Sequence, residues 1–468
     1  MTTWFLVLVG VYGLGLVAAT LGARKQTHNA DDFMTAGSDL GILLGSLTVA
    51  ATLFSTFTLL GMPDFFRTHG VGAWMFLAVS DGVLAFSIIW FGAHLRRSAA
   101  ENGKFTGLSG LLRKCFGNRW AGILYLAGIF IFLIPYVAVQ IRGVSVFMNA
   151  IFPAALPVWG WATLLVAVML IYSELGGLKA IIYADAIQGL IMLCATIAVA
   201  YGCLANFGGI VEMFDQVEKA NEALLSVPGP LGLFTTQFLI SSFIVIVLVP
   251  ITQPQISIRL VIMRDFGSLH RMAVLLGLFA MVVIVATIPI GFYGAVHYAD
   301  ASTPDFLVNV LIWDQLPIVA AAVAVGLIAA AISTADSQIF ALGAELRSMM
   351  SGSEEVLMRR TRISIICFAL ASLGVALMAS NQLVLLARVS FAGTALMGPF
   401  ILAGILMRRP PGLEVIISTA VALALFLASV MGLISQIWGP VRLDLLLLLT
   451  LTGITLFSVW RTKQRLNS

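Results

Sequence analysis

The chain has 468 residues, 60% of them hydrophobic and 10% charged, with a mean hydropathy of +1.03 and a net charge of +4. A soluble domain carries roughly 25% charged residues, so this composition excludes a water-soluble globular protein of this size. With no basic patch in a soluble module, nothing supports nucleic-acid binding either.

Apolar runs of about 20 residues recur from end to end, each long enough to cross a bilayer as a helix. They are continuous and do not alternate with period two, which argues against a β-barrel. The spacing predicts an all-α membrane protein of thirteen spans, numbered from zero: Trp4–Gly22, Gly41–Pro63, Gly72–Leu95, Trp120–Ile151, Leu156–Ser173, Leu178–Cys203, Leu231–Ser257, Met272–His297, Pro317–Arg347, Arg362–Ser380, Leu383–Met407, Leu413–Ile434 and Val441–Trp460. The first run lacks a basic segment before it, and Arg24 and Lys25 follow it, so it reads as a retained helix and not a signal peptide. Threading puts all but five of the 26 basic residues on one side or in the C-terminal tail, the exceptions being Arg67, Arg142, Lys219, Arg388 and Arg442. Arg259, Arg264 and Arg271 count in the loop after span six, and Arg408 and Arg409 in the loop after span ten. This bias predicts a cell-membrane protein with its N-terminus outside and its C-terminus in the cytoplasm. The external connection from Asn206 to Pro230 is expected to hold a short amphipathic helix. Cys115, Cys194, Cys203 and Cys367 form no metal-binding spacing and read as free thiols.

Polar residues inside the spans carry the functional signal, since a carboxylate at mid-membrane costs about 2.5–3.5 kcal/mol and usually faces a cavity or a partner. In span eight, Ser333, Thr334, Asp336 and Ser337 fall within five residues. Ser333 lies three and four residues before Asp336 and Ser337, so these share a face. Such oxygen donors suit a hard cation; the competing reading has the hydroxyls bonding back to their own helix. Span one carries Ser55, Thr56 and Thr58 before Gly61 and Pro63. A break there would free backbone carbonyls, tolerated in a membrane only where they line a cavity or bind an ion. Gly176 and Gly177 predict a tight turn between spans four and five, and Asp185 follows two turns on, with Gln188 on its face. Asp185 is read either as an ion ligand or as a structural carboxylate bonded to a neighbouring helix.

Together these runs resemble the sodium:solute symporter family over nearly the whole chain. The resemblance rests on Gly176-Gly177-Leu178-Lys179-Ala180 with Asp185 and Gln188, on Ser333-Thr334-Ala335-Asp336-Ser337, on Gly61-Met62-Pro63, and on the run Thr252 to Asp265. It implies the LeuT-type fold, a five-plus-five inverted repeat with one extra N-terminal and two extra C-terminal helices. The chain would divide into 1–40 (extra helix and loop), 41–205 (first repeat), 206–407 (external loop and second repeat) and 408–468. The resemblance further implies sodium as coupling ion. Its main site would use the carbonyls of Ala51, Phe54 and Ala330 and the hydroxyls of Ser333 and Thr334. A second ion site would match Asp185, Ser333, Asp336 and Ser337. Two departures stand out: Tyr183-Ala184 replaces the family's Trp-Thr, and residue 336 is acidic. Close carboxylates repel unless a cation or proton lies between them, so the second site is open to sodium or to a proton.

Arg142, deep in span three with Gln140 beside it, needs an anion or a wet cavity. It is read as the partner of a substrate carboxylate, or else of Asp81 in span two. Ser55, Thr56, Gln140, Asp81 and Arg142 form the expected substrate set. Phe54 to Trp74 looks similar to family members that carry monocarboxylates, so a small organic acid is the expected solute, with a proline-like amino acid as the alternative. The lipid bilayer and this small molecule are the expected partners; any regulatory partner would be a separate protein. An enzyme is not expected, because His28, His69, His94, His270 and His297 are scattered and form no HExxH. A proton-coupled carrier on the same fold and a transporter-like sensor are the remaining rivals.

Overall fold

A computed structural model describes residues 1–25, 30–103, 105–378, 383–407 and 412–467. Arg408 and Arg409 lie outside the described residues. Ten helices among those described are long and apolar enough to cross a membrane. An eleventh span is a bent pair, Ile42–Leu53 and Phe57–His69, turned by 57°. Two shorter apolar helices, Val158–Ile171 and Thr236–Val247, stand where spans four and six were expected. Among the described residues, length and composition alone yield ten or eleven spans, with these two shorter helices beside them. Span six is cut by local chemistry, whereas span four continues as helix beyond Ile171 to a kink at Gly177. Span four runs into span five through Gly177, whose backbone turns to φ 61, ψ −158. A Cβ there would meet the Phe33 carbonyl at 2.6 Å, so only glycine fits. Span six is interrupted: Thr236–Val247, Val249–Thr252 and Pro254–Ile262 follow one another, with Pro250 and Pro254 near the starts of the last two. Proline withholds a backbone donor and clashes with the preceding turn, so it opens a helix more readily than it continues one.

That interruption corrects the reading of Arg259. The loop assignment fails because the helix resumes at Pro254, and Arg259 lies within it, only 1% exposed. The basic side of the chain loses that member.

Span eight, Pro317–Met349, lies at the centre, with 78% of its apolar window buried, against 22% for the first helix, Thr2–Lys25. Its alanines and Gly326 allow close approach of the neighbours; a Cβ on Gly326 would touch Ala195 of span five. One end of span eight is fastened by Glu345, fully buried, which accepts from the Leu108 and Ser109 amides at 2.7 and 2.6 Å. These amides begin the short helix Leu108–Cys115, where a carboxylate meets unpaired N–H groups and the positive end of the dipole. The connection after span five does contain the expected helix, Ile210–Asn221, which buries Met213 and Val217. The Leu224 carbonyl beyond it accepts from Val71 N–H at 2.7 Å. Gly70 (φ 76) passes so close to that carbonyl that a Cβ would lie 2.2 Å from it. A two-stranded ribbon, Ile437–Trp438 with Val441–Arg442, joins the last two spans.

Candidate functional site

Span one breaks at Phe54, whose φ −90, ψ 110 leave the helical region. The break falls inside the run where an interruption was expected, ahead of Gly61 and Pro63. Pro63 lies inside Phe57–His69, just after the widened turn Phe57–Gly61, and the helix continues through it. What holds the break open is side-chain capping. Ser55 N–H donates to Thr58 Oγ1 (3.2 Å), Thr56 N–H to Gln140 Oε1 (3.1 Å) and Phe57 N–H to Ser55 Oγ (3.2 Å). Thr58 N–H turns to the Ser55 carbonyl at 2.8 Å. The carbonyls of Ala51, Thr52, Leu53 and Phe54 thereby lose the donors a continuous helix would give them. A buried acceptor left alone costs about 1–3 kcal/mol.

Span eight answers two of them. Ser333 Oγ donates to Ala51 O at 2.9 Å, and also reaches Ala330 O of its own helix at 3.0 Å. Thr334 Oγ1 lies 3.2 Å from both Ala51 O and Thr52 O. Four of the five oxygens expected at the main ion site thus converge, with Thr52 O added. Phe54 stands at the break itself, and no bond joins it to span eight. Every oxygen of this cluster is neutral. A cluster of neutral oxygens, sealed from water, is a donor set that a single hard cation satisfies better than the hydroxyl protons do.

The second cluster is filled differently. Asp185 is fully buried, and its Oδ2 accepts from Thr48 Oγ1 (2.5 Å) and from Arg259 Nη2 (2.8 Å). Arg259 also donates from Nη2 to Ser337 Oγ (2.6 Å), from Nε to Thr48 Oγ1 (2.8 Å) and from Nη1 to the Gln255 carbonyl (2.9 Å). The alternative reading of Asp185, a carboxylate bonded to a neighbouring helix, thus has its partner. Asp336 is buried on the same helix as Ser337, and neither of its oxygens has a hydrogen-bond partner; Asp185 Oδ1 also lacks one. Gln188 turns elsewhere, its Nε2 donating to the Tyr12 hydroxyl of the extra first helix at 2.7 Å.

The expected substrate residues separate into two places. A cavity of about 40 Å³, room for a few waters, lies between the breaks of spans one and six. Phe54, Phe57, Thr58, Asp81, Tyr136 and Val249 are among the residues that wall it. Ser55 Oγ stands 3.5 Å from the Tyr136 hydroxyl, and Thr56 Oγ1 is buried without a partner. Gln140 is fully buried, and its amide is spent on the break, with Nε2 donating to Tyr136 O at 3.3 Å. Arg142 is not in this cavity. It lines a separate one of about 30 Å³ with Leu60, Phe147 and Thr303. Arg142 and Asp81 therefore face different spaces.

A break in span one, a break in span six and an oxygen cluster shared with span eight form the apparatus of an ion-coupled carrier. The family model described as the sodium:solute symporter family matches residues 33–411. The chain belongs to that family. As a member it is a transporter and not an enzyme, and sodium is its coupling ion. The high-affinity proline transporter of Bacillus subtilis is 24% identical over 412 residues, covering 83% of this chain and 84% of the relative. The sodium/pantothenate symporter of Haemophilus influenzae is 25% identical over 344 residues, 69% of this chain and 66% of that protein. Among solved structures, a sodium-coupled sialic acid symporter in a substrate-bound outward-open state superposes with a TM-score of 0.78 at 18% identity. It covers 97% of this chain and 96% of the other, so the whole symporter fold is shared.

The sequence reading missed Thr48, Thr52, Tyr136 and Arg259. Thr52 and Thr48 precede the serine-threonine run by one and two helical turns, and that periodicity was the available signal. Arg259 sits in QISIRLVI, where apolar residues on both sides already argue against a loop.

Proposed function

We propose that this symporter couples inward sodium flow, through Ala51, Phe54, Ala330, Ser333 and Thr334, to uptake of a small organic acid bound between the two helix breaks. The carrying observation is the contact of the Ser333 and Thr334 hydroxyls with the Ala51 carbonyl that the break releases. Sodium bound there would fasten span one to span eight and favour the outward-facing form; rocking of one repeat (41–205) against the other (206–407) then opens the inner side. The N-terminus is outside and the C-terminus cytoplasmic in this scheme, as the basic residues suggest. The membrane potential adds about 2.3 kcal/mol per charge per 100 mV.

Proline, pantothenate and sialic acid, named for the relatives, each carry a carboxyl group, which supports a carboxylate solute. The cavity favours one kind. Asp81 offers it a carboxyl group, and Arg142 faces elsewhere. A zwitterion such as proline can give its nitrogen to Asp81, while a plain monocarboxylate brings no donor for it. The apolar wall of Phe54, Phe57 and Val249 suits a small ring.

Uptake into proteoliposomes against graded sodium, with proline, lactate and acetate as competing solutes, tests both parts. Proline should accumulate with sodium and outcompete the acids, and Asp81→Asn should narrow that preference. Uptake that ignores sodium and follows pH would overturn the coupling ion. A preference for lactate over proline would overturn the amino-acid assignment. Binding without flux would make the protein a sensor.

A further inference from the structure

Asp185, Thr48 and Ser337 come from spans five, one and eight, and together they present a carboxylate and two hydroxyls in a buried place. Such a set calls for a positive charge. The chain brings one of its own. The guanidinium of Arg259, carried on the part of span six just past its break, uses four of its five N–H groups on Asp185, Ser337, Thr48 and the Gln255 carbonyl. Its charge stays with the protein through every cycle. A sodium bound at the same oxygens would be delivered to the other side with the solute.

We propose that Arg259 is a tethered cation that fills the second oxygen cluster, so that one sodium crosses per solute, and that removing the guanidinium opens a second sodium site. The oxygens left for that ion are Asp185 Oδ2, Ser337 Oγ and Thr48 Oγ1, with Asp185 Oδ1 and the unpartnered Asp336 carboxylate in reserve. This inference rests on the sodium coupling proposed above. It adds a count to it, and the count is measurable by itself.

The test is the coupling number in proteoliposomes at zero membrane potential. With a tenfold sodium gradient, solute should accumulate about tenfold if one ion is coupled and about a hundredfold if two are. Wild-type protein is expected to give tenfold. Arg259→Ala should move toward a hundredfold and show a steeper sodium dependence, whereas Arg259→Lys, which retains a tethered charge, should stay near tenfold. Millimolar guanidinium chloride added to Arg259→Ala should return it toward tenfold by refilling the place of the side chain. A hundredfold accumulation by the wild type overturns the proposal, as does an Arg259→Ala protein that stays tenfold with unchanged sodium dependence. Should Arg259→Ala fail to fold, the wild-type and Arg259→Lys counts decide. Wild-type uptake indifferent to sodium would instead overturn the coupling ion and leave Arg259 with a purely structural bond.

Discussion

Two oxygen clusters sit four residues apart on span eight, and they are completed in opposite ways. Around Ser333 and Thr334, all donors are neutral, and two of the five are carbonyls that a helix break has stripped of partners. Around Ser337, the donors include a carboxylate, and a buried guanidinium already neutralises it. The first cluster has weak internal bonds that an arriving cation can replace at little cost. The second has an ion pair whose separation in a dry interior is expensive. A mobile ion and a fixed ion thus belong to neighbouring turns of one helix, and the difference lies in whether the charge is built into the chain.

The strongest way to break this comparison is to remove one half of the fixed pair. Without sodium, Asp185→Ala or Arg259→Ala leaves an uncompensated buried charge, worth about 3–5 kcal/mol of stability. Thermal unfolding in detergent should show a large drop for each single variant. The double variant should recover a good part of the loss, because both charges leave together. Equal losses in single and double variants would mean the pair is not coupled.

The mobile side predicts a different signature. Ser333→Ala with Thr334→Ala removes both hydroxyls facing Ala51 but leaves no charge stranded. Sodium affinity should weaken by roughly a hundredfold, about 2.7 kcal/mol, while the unfolding temperature without sodium moves little. Sodium normally raises that temperature by mass action, and the double variant should lose the rise. A sodium-dependent rise that survives would place the ion elsewhere.

The contrast also marks what the chain could tell in advance. Span eight was legible because a carboxylate and three hydroxyls in an alanine helix violate the cost of burial so plainly. The break in span one was legible as a break, but its position was not. It is set by Gln140, eighty-four residues away, accepting from the Thr56 amide. No local pattern encodes a cap delivered from another helix. Arg259 was hidden for a related reason. Positive charge near a span end is read as a loop by default, and only the interrupted course of span six turns it inward. Arg142 drew attention as an arginine within a span, and it lines a cavity separate from the one between the two breaks.

Gln140 offers a gentler probe of the mobile side. Gln140→Leu removes the acceptor for Thr56 N–H and leaves that buried amide without a partner, a loss of about 1–2 kcal/mol. The break should relax toward continuous helix, withdrawing the Ala51 and Thr52 carbonyls from span eight. Sodium affinity should therefore fall severalfold although Gln140 touches no ion. Gln140→Glu, which keeps the acceptor, should restore most of it. If Gln140→Leu changes solute affinity and leaves sodium affinity alone, Gln140 binds solute and is not a strut of the break.

The smallest effect belongs to a pair that is fixed in sequence but open to water. Arg264 meets Asp39 at 2.6 Å with both side chains exposed, beside the backbone bonds that join Leu40 to Ile262 and Arg264. That clip ties the segment entering span one to the end of span six, and so to both broken helices. The Arg264 hydrogen bond, then its charge, holds the Asp39 carboxyl below the usual carboxylate range. A carboxylate whose folded value is depressed favours the folded form above its unfolded value, near 3.9, and this contribution disappears as pH falls through the lower, folded value. Between pH 5 and 8 the clip should therefore be constant. Acidification below about 4 should loosen it, and salt should loosen it at any pH because exposed pairs are screened. Arg264→Ala should shift the unfolding temperature barely at all and abolish that acid-range slope. Hydrogen exchange at the Leu40 and Arg264 amides is the sensitive measure. If their protection is unchanged by Arg264→Ala, the backbone bonds alone carry the clip, and the exposed ion pair contributes nothing to holding the two broken helices together.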